Sequence, residues 1–201
     1  MAKAGSSQNP VTPGAESLEK AARAASDSGL PPVHEWHPPF CGDLDMRIAR
    51  DGTWFYQGTP IGRPALVRLF STILRREGAG YFLVTPVEKV GITVDDAPFV
   101  AVDFERTGTP ASPVLRFHTN VGDSADAGPD HPIRVTRDPD TGEPSPYVLI
   151  RADLWALIDR KSFYRLAEIG QHADVNGARW FGLWSGGEFF PMIPSEELET
   201  G

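Results

Sequence analysis

Apolar and polar residues alternate in the first stretch of the chain that has a clear periodicity. Between residues 43 and 49 the apolar side chains fall on every second position, at Leu44, Met46 and Ile48. A period of two is typical of a strand with one buried face. The Asp51-Gly52 pair then predicts a tight turn with a return strand over residues 53–57, so this region is predicted to form a hairpin.

A helix is predicted directly after the hairpin. Pro64 stands where a first helical position would be, because the missing N–H of proline is not needed there. Apolar residues then recur at helical spacing until Gly78, at Leu66, Leu69, Phe70, Ile73 and Leu74. Strands are predicted over residues 81–84, 88–94 and 98–105. The first half therefore has the order hairpin, helix, strands.

The second half of the chain repeats that order. Residues 132–136 and 146–150 predict another hairpin, with a longer loop between its strands. Arg151 precedes a predicted helix that breaks or bends near Lys161-Ser162 and continues over residues 163–170. That helix would carry Leu154, Leu157 and Ile158 on one face. A closing hairpin is predicted to turn at Gly186-Gly187.

Two similar five-residue segments occur at corresponding positions of the two halves. Residues 47–51 read RIARD and residues 134–138 read RVTRD, 87 positions further on. That spacing is too long for a solenoid repeat and favours duplication of a whole small domain. We expect an α+β protein built from two related small β-rich units, each an antiparallel sheet or partial barrel with one main helix.

The predicted domain limits follow from composition and element order. The first unit is expected over residues 29–106 and the second over residues 107–194. Residues 1–28 are expected to be a disordered or short-helical tail, and residues 195–201 an acidic tail.

Composition narrows the function. A net charge of −8 argues against a non-specific binder of nucleic acid or of anionic membranes. Cys41 is the only cysteine, which excludes an intrachain disulfide and CxxC chemistry. No apolar run is long enough for a membrane span and no signal peptide is visible, so a cytoplasmic protein is expected. Because no catalytic or metal-binding motif is present, we expect no cofactor and no metal, and lean against an enzyme.

Arg63 and Arg151 are the most informative polar residues. Both fall at a predicted helix start, where the helix dipole makes a cation unfavourable. Each arginine is therefore expected to have an anionic partner. That partner is either an internal carboxylate, such as Asp51 or Asp138, or a bound phosphate or carboxylate.

Other candidate site residues lie at strand ends, where ligands commonly bind. Thr85, Glu88 and Lys89 follow a strand beside a proline, although a solvated ion pair would also explain Glu88 and Lys89. Asn120 and Asp123 are expected at a strand end that faces the junction between the repeats. Trp54 and Tyr56 offer either a stacking surface or core packing. The full ligand-binding set expected is Arg47, Trp54, Tyr56, Arg63, Thr85, Glu88, Lys89, Asn120, Arg134 and Arg151.

These segments together resemble the bacterial domain-of-unknown-function family numbered 1285. The resemblance covers about residues 29–193 and is carried by PPFCGDLDMRIARDGTWFYQGTPIGRPALVRLF, YFLVTPVEKVGI, LRFHTN, HPIRV, PYVLIRADLWALI, FYRLAE and LWSGGEFF. It implies two related α+β units, of which the second is superficially like a pleckstrin-homology fold. It also implies a nucleotide-like ligand between the units and a role in signal transduction.

Three functions remain open on these grounds. The leading hypothesis is a non-catalytic module that binds a small anionic, nucleotide-like ligand between its two halves. The alternative is an adaptor that binds a protein partner through a sheet edge or an aromatic surface. The third is a hydrolase or transferase with Glu88 or Asp123 as the base, for which the sequence offers no nucleophile or metal.

Overall fold

The computed structural model describes residues 14–25 and 29–199. Within these ranges the secondary structure is mostly strand, and a short 3-10 turn lies at Val33–Glu35. In chain order the helices and strands are α1 (Ala15–Ala25), β1 (Phe40–Ile48), β2 (Trp54–Tyr56), β3 (Thr59–Pro60), α2 (Pro64–Thr72), β4 (Leu74–Glu77), β5 (Gly80–Val84), β6 (Lys89–Val94), β7 (Phe99–Thr109), β8 (Ser112–Thr119), β9 (Ser124–Asp126), β10 (Ile133–Arg137), β11 (Pro144–Arg151), β12 (Leu154–Ile158), α3 (Arg160–Ile169), β13 (Gln171–Val175), β14 (Ala178–Ser185), β15 (Glu188–Pro194) and α4 (Ser195–Glu199).

The chain divides into two compact units that are not continuous in sequence. The smaller unit contains the described residues up to Asp45 together with Leu69–Ile92. The larger unit contains Met46–Arg68 together with the described residues from Thr93 onward. The protein therefore has the expected α+β class, with two β-rich units and few helices. The predicted limits at residues 106 and 107 fall inside β7, and those limits stay a prediction.

The smaller unit is built on the antiparallel strands β4, β5 and β6, with the first part of β1 beside β6. The guanidinium of Arg75 donates to the carbonyls of Val33 and Trp36 at 2.7 Å each, which ties the 3-10 turn to β4. Helix α1 buries Leu18 and Ala22 completely. The expected N-terminal tail thus contains a packed helix, while residues 1–13 lie outside the described residues.

The larger unit contains a six-stranded sheet with the order β10-β11-β12-β7-β8-β9. Every neighbouring pair is antiparallel except β12 and β7, which run parallel. The sheet curls into a half-barrel. A three-stranded sheet, β13-β14-β15, completes the strands of this unit, together with the hairpin of β1 and β2 and the short β3.

The helix predicted after Arg151 is wrong in its first half. Residues 154–158 form strand β12, in which Leu154, Ala156 and Ile158 are buried at a period of two. Leu154, Leu157 and Ile158 fit a helical stripe equally well, and the pairing of β12 with β11 and β7 decides between the two. Arg151 therefore ends a strand, and the helix begins at Arg160.

The predicted end of the first helix is also corrected. Helix α2 ends at Thr72 rather than near Gly78, and Leu74–Glu77 forms strand β4, because Leu74 pairs across to Leu83 of β5. At the C-terminal end of the described chain, Ser195–Glu199 forms the short helix α4, and its residues are mostly acidic.

The repeated element order agrees with two related units. The series β1, β2, β3, α2, β4, β5, β6 matches the series β10, β11, β12, α3, β13, β14, β15 element by element. In the first series β1 lies beside β6, and in the second β10 lies against β15. The structural counterpart of Arg63, which precedes α2, is therefore Asp159 before α3, and not Arg151.

Helices long and apolar enough to cross a membrane are absent from the described part of the chain.

Candidate functional site

The structure places the ten expected site residues in separate environments. Thr85, Glu88 and Lys89 belong to the smaller unit, and the other seven belong to the larger one.

Arg47 and Arg134 occupy matching places in the two repeats. Each is paired across a hairpin with an aromatic residue, Arg47 with Phe55 and Arg134 with Tyr147. The Arg47 guanidinium carbon lies 4.7 Å from the Phe55 ring centre, and that of Arg134 lies 5.4 Å from Tyr147. Arg134 is also 3.9 Å from the ring of Trp155. These cation–π contacts give both arginines a role in packing the hairpin surface.

The aspartates at the ends of RIARD and RVTRD, Asp51 and Asp138, also have similar contacts. The Asp51 carboxylate accepts from the backbone N–H of Thr53 at 2.9 Å. The Asp138 carboxylate accepts from the N–H groups of Asp140 and Thr141 at 3.0 and 2.8 Å. These bonds, above all those from Thr53 and Thr141, hold the pKa of both carboxyls below its ordinary value. RIARD and RVTRD are repeated because each leads from a strand into an aspartate-stabilised turn.

Internal carboxylates are the anionic partners of Arg47 and Arg151. Arg47 pairs with Asp95, and the Arg151 Nε donates to Asp123 at 3.1 Å. Neither partner is Asp51 or Asp138, the two carboxylates that the sequence suggested. Arg63 is exposed before Pro64, and its backbone carbonyl accepts from the N–H groups of Leu66 and Val67.

The Asn120 side chain bonds to two backbone groups. Its Oδ1 accepts from Val100 N–H at 3.0 Å, and its Nδ2 donates to the Gly52 carbonyl at 3.3 Å. Gly52 has φ +84°, and a Cβ there would lie 2.5 Å from the Asn120 amide. Asn120 therefore fixes the Asp51-Gly52 turn. Trp54 is only 1% exposed, which favours its core alternative, and Tyr56 is half-buried.

The three candidate residues of the smaller unit, Thr85, Glu88 and Lys89, lie in the turn before β6 and at the start of that strand. The buried Thr85 hydroxyl accepts from the N–H of Glu88 at 3.2 Å. Lys89 donates to Glu77 at 2.9 Å and lies 4.9 Å from the ring centre of Phe82. Glu88 accepts from the hydroxyl of Ser17 in α1 at 3.4 Å.

A cavity of about 410 Å³ lies in the larger unit, and none of the ten expected residues lines it. It combines charged, hydroxyl and aromatic side chains at the start of α3. The residues that matter chemically are Arg50, Ser145, Leu157, Arg160, Phe163 and Tyr164. Arg50 comes from the first repeat and the others from the second, so the cavity brings the two repeats together inside one unit.

Arg50 is held in the cavity by two contacts. Its Nη1 lies 2.8 Å from Asp96 Oδ2, and its Nη2 donates to the Ser145 hydroxyl at 2.7 Å. The Arg50 side chain is still 57% exposed. The other oxygen of Asp96 accepts from the Tyr147 hydroxyl at 2.8 Å. Burial, followed by this neighbouring carboxylate, raises the pKa of Tyr147.

The second cation of the cavity is Arg160, the first residue of α3. Its Nε and Nη2 donate to the Tyr164 hydroxyl at 3.1 and 3.0 Å. Because both bonds are accepted by the hydroxyl oxygen, the hydroxyl proton is available to a bound molecule. Asp159 caps the helix by accepting from Ser162 N–H at 2.7 Å. A bound anion would therefore be met by the guanidiniums rather than by the helix end.

Features of the sequence could have pointed to Arg50, Arg160 and Tyr164 as site residues, although none of the three was among the expected ones. Arg50 stands inside RIARD, and Arg160 and Tyr164 are four residues apart, on either side of the bend predicted near Lys161-Ser162. Residues 50, 145 and 160 are widely separated, so only the folded chain brings them together. Within residues 14–25 and 29–199, no three His, Cys, Asp or Glu side chains are grouped so that they could hold a metal ion.

The chain matches two family models in succession. Residues 31–97 match the model described as "Domain of unknown function (DUF1285), N-terminal domain", and residues 98–192 match "Protein of unknown function (DUF1285), C-terminal domain". No curated protein matches the chain.

Two solved structures are similar to it. A DUF1285 family protein from Silicibacter pomeroyi DSS-3 is 64% identical, with 90% of this chain and 97% of that chain covered and a TM-score of 0.82. A DUF1285 family protein from Shewanella baltica OS155 is 32% identical, with 62% and 91% covered and a TM-score of 0.50.

Proposed function

The chain belongs to the DUF1285 family, whose models describe it as of unknown function, and we propose that it is a non-catalytic module that binds a small anionic molecule with an aromatic or apolar part. The observation that carries this proposal is the cavity at the start of α3. Its volume of about 410 Å³ lies within the usual range of small-molecule sites.

The side chains of the cavity suit such a ligand. Arg50 and Arg160 supply two guanidiniums, which bind carboxylate and phosphate groups through paired N–H donors. Phe163 and Tyr164 supply aromatic rings, and Leu157 adds apolar surface. Glu143 and Asp159 also line the cavity and oppose a highly charged anion. A ligand with one or two phosphate or carboxylate groups beside a flat ring, such as a nucleotide, fits this balance.

The proposal keeps the ligand class expected from the sequence but moves the site. None of the ten expected residues lines the cavity, whereas Arg50 and Arg160 do. Arg50 and Arg160 take the place of these residues as the ligand-binding cations. A role in signalling, a cytoplasmic location and binding of a protein partner stay predictions.

A calorimetric and thermal-shift panel of AMP, ADP, ATP, inorganic phosphate and pyrophosphate tests the proposal. A compound present at 100 times its Kd should stabilise the fold by about 2.7 kcal/mol. Arg50→Ala and Arg160→Ala should each weaken binding about tenfold or more, because a hydrogen bond to a charged group contributes about 1.5–3 kcal/mol.

Arg137→Ala is the matched control. Arg137 occupies the position in RVTRD that Arg50 occupies in RIARD, but it pairs with Glu197 and does not line the cavity. Its replacement should leave binding unchanged. The proposal is wrong if a folded protein binds none of the panel, or if Arg50→Ala and Arg137→Ala behave alike.

A further inference from the structure

We propose that Asp96 is a built-in competitor that holds Arg50 away from the ligand and so sets the affinity of the cavity. This inference rests on the proposed function, because it concerns the same arginine. Arg50 lines the cavity, yet in the structure its charge faces Asp96 at 2.8 Å. A bound anion and the Asp96 carboxylate require the same guanidinium.

The contact between Arg50 and Asp96 is suited to exchange. Asp96 Oδ2 is buried, and among the described residues no donor makes an aligned hydrogen bond to it. Its contact with Arg50 is thus an ion pair without hydrogen-bond geometry. Such a pair is weaker than an aligned, charge-assisted bond, so an anion that aligns with the guanidinium can replace it.

Transfer of Arg50 from Asp96 to a bound anion is nevertheless unfavourable for the Asp96 carboxylate. If Arg50 turns to a ligand, Asp96 Oδ2 loses its one cationic neighbour shown by the structure, while Oδ1 keeps the Tyr147 hydroxyl at 2.8 Å. A buried carboxylate oxygen without compensation is unfavourable. Part of the ligand's interaction with Arg50 is therefore offset by this loss, and the apparent affinity is reduced accordingly.

The neighbouring aspartate provides a matched control. Asp95 lies in the same turn and pairs with Arg47, whose guanidinium carbon lies over Phe55. Neither Asp95 nor Arg47 lines the cavity. Asp95→Asn and Asp96→Asn each remove one negative charge from the same turn, so long-range electrostatics change equally. Only Asp96→Asn removes the ion pair of Arg50, which keeps its bond to the Ser145 hydroxyl, and the new amide oxygen can still accept from Tyr147.

The test is calorimetric titration of the full chain and its variants with pyrophosphate and with AMP. Asp96→Asn should bind about three- to tenfold more tightly than the wild type, the range that separates a weak ion pair from a charged hydrogen bond. Asp95→Asn should stay within about twofold. In an Arg50→Ala background, Asp96→Asn should bring no gain.

A second variant changes the affinity in the opposite direction. Tyr147→Phe removes the donor to Asp96 Oδ1, so Asp96 should hold Arg50 more strongly and binding should weaken. If Asp96→Asn binds the probes no more tightly than Asp95→Asn while the wild type still binds them, the proposed competition between Asp96 and the ligand is wrong. The proposed function is then unaffected. If none of these folded proteins binds either probe, the proposed function is wrong and the competition with it.

Discussion

At the scale of single residues, buried polar groups hold the larger unit together. The Ser185 hydroxyl is fully buried, donates to the Ala127 carbonyl at 2.7 Å and accepts from Leu115 N–H at 2.8 Å. It therefore connects β14 with β8 and with the residue that follows β9. A buried donor or acceptor that loses its partner destabilises a protein by about 1–3 kcal/mol.

Ser185→Ala should accordingly lower the free energy of unfolding by about 3 kcal/mol, because two backbone groups lose their partner at once. Urea denaturation measures the change. Ser112→Ala, in an exposed position of β8, should change the stability by less than about 0.5 kcal/mol. Equal effects of the two variants would show that the hydroxyl of Ser185 is not needed.

The two turn aspartates predict a dependence of stability on pH. Their pKa values are lowered in the folded protein from an ordinary value of 3.8, because backbone N–H groups bind the charged form. A depressed folded pKa adds stability above the unfolded pKa, and this stability is lost as the pH falls through the folded pKa. Asp51→Ala and Asp138→Ala should thus reduce stability more at pH 6 than at pH 3.

Urea titrations of the wild type and both variants at these two pH values check the expectation. Asp138→Asn retains an acceptor oxygen and serves as the comparison, since it removes the charge alone. A loss of stability that is the same at pH 3 and pH 6 would contradict the assigned role of the carboxylates.

At the scale of elements, the backbone of the turn between β11 and β12 shows that the residues after Arg151 form a strand and not the helix expected from the sequence. Ala152 and Asp153 have φ of 43° and 63°, in the left-handed region that glycine adopts freely. The two residues form the tight connection that starts β12. In a helix, the same positions would have negative φ, and glycine there would be unfavourable.

Ala152→Gly should therefore stabilise the protein by about 0.5–1 kcal/mol, because it relieves the left-handed backbone at a residue with a side chain. Ala65→Gly, in the exposed first turn of α2, should instead destabilise by up to about 1 kcal/mol. Thermal unfolding of both variants measures whether each substitution raises or lowers the free energy of unfolding. A destabilising Ala152→Gly would favour the helix that the sequence pattern suggested.

At the scale of the whole molecule, the compact units do not follow the division between the two family models. That division falls between residues 97 and 98, whereas the larger unit also contains Met46–Arg68 and residues 93–97. Asn120 bonds to Gly52, Arg50 bonds to Ser145, and Tyr147 bonds to Asp96. A cut at residue 97 would therefore break the larger unit internally.

A fragment of residues 98–201 should consequently fail to fold by itself. Its amide spectrum should lack the dispersion of the full chain, and addition of the fragment 1–97 should restore it. The measurement is a ¹H–¹⁵N correlation spectrum of the labelled fragment with and without its complement. A well-dispersed spectrum of the isolated fragment would show that the first-repeat hairpin is not required.

Local chemistry determined much of this protein from the sequence alone. The alternation of β1, the Asp-Gly turn, the proline at the start of α2 and the echo of RIARD in RVTRD all depend on neighbouring residues, and the structure contains each of them. The order hairpin, helix, strands was also visible in the first half, whereas in the second half strand β12 stands where the helix was expected to begin. Periodicity and turn residues act within a few positions, so they can be read without knowing the fold.

Tertiary structure decided what depends on distant partners. Leu154–Ile158 is a strand because β7 and β11 lie on its two sides, and the apolar spacing alone allowed a helix. Arg47 and Arg151 pair with the carboxylates of Asp95 and Asp123. Arg50 lines a cavity whose other residues lie within 143–146, 157–160 and 163–164. Pairing over such separations depends on how the strands are arranged in the sheets, and no local pattern in the chain encodes that arrangement.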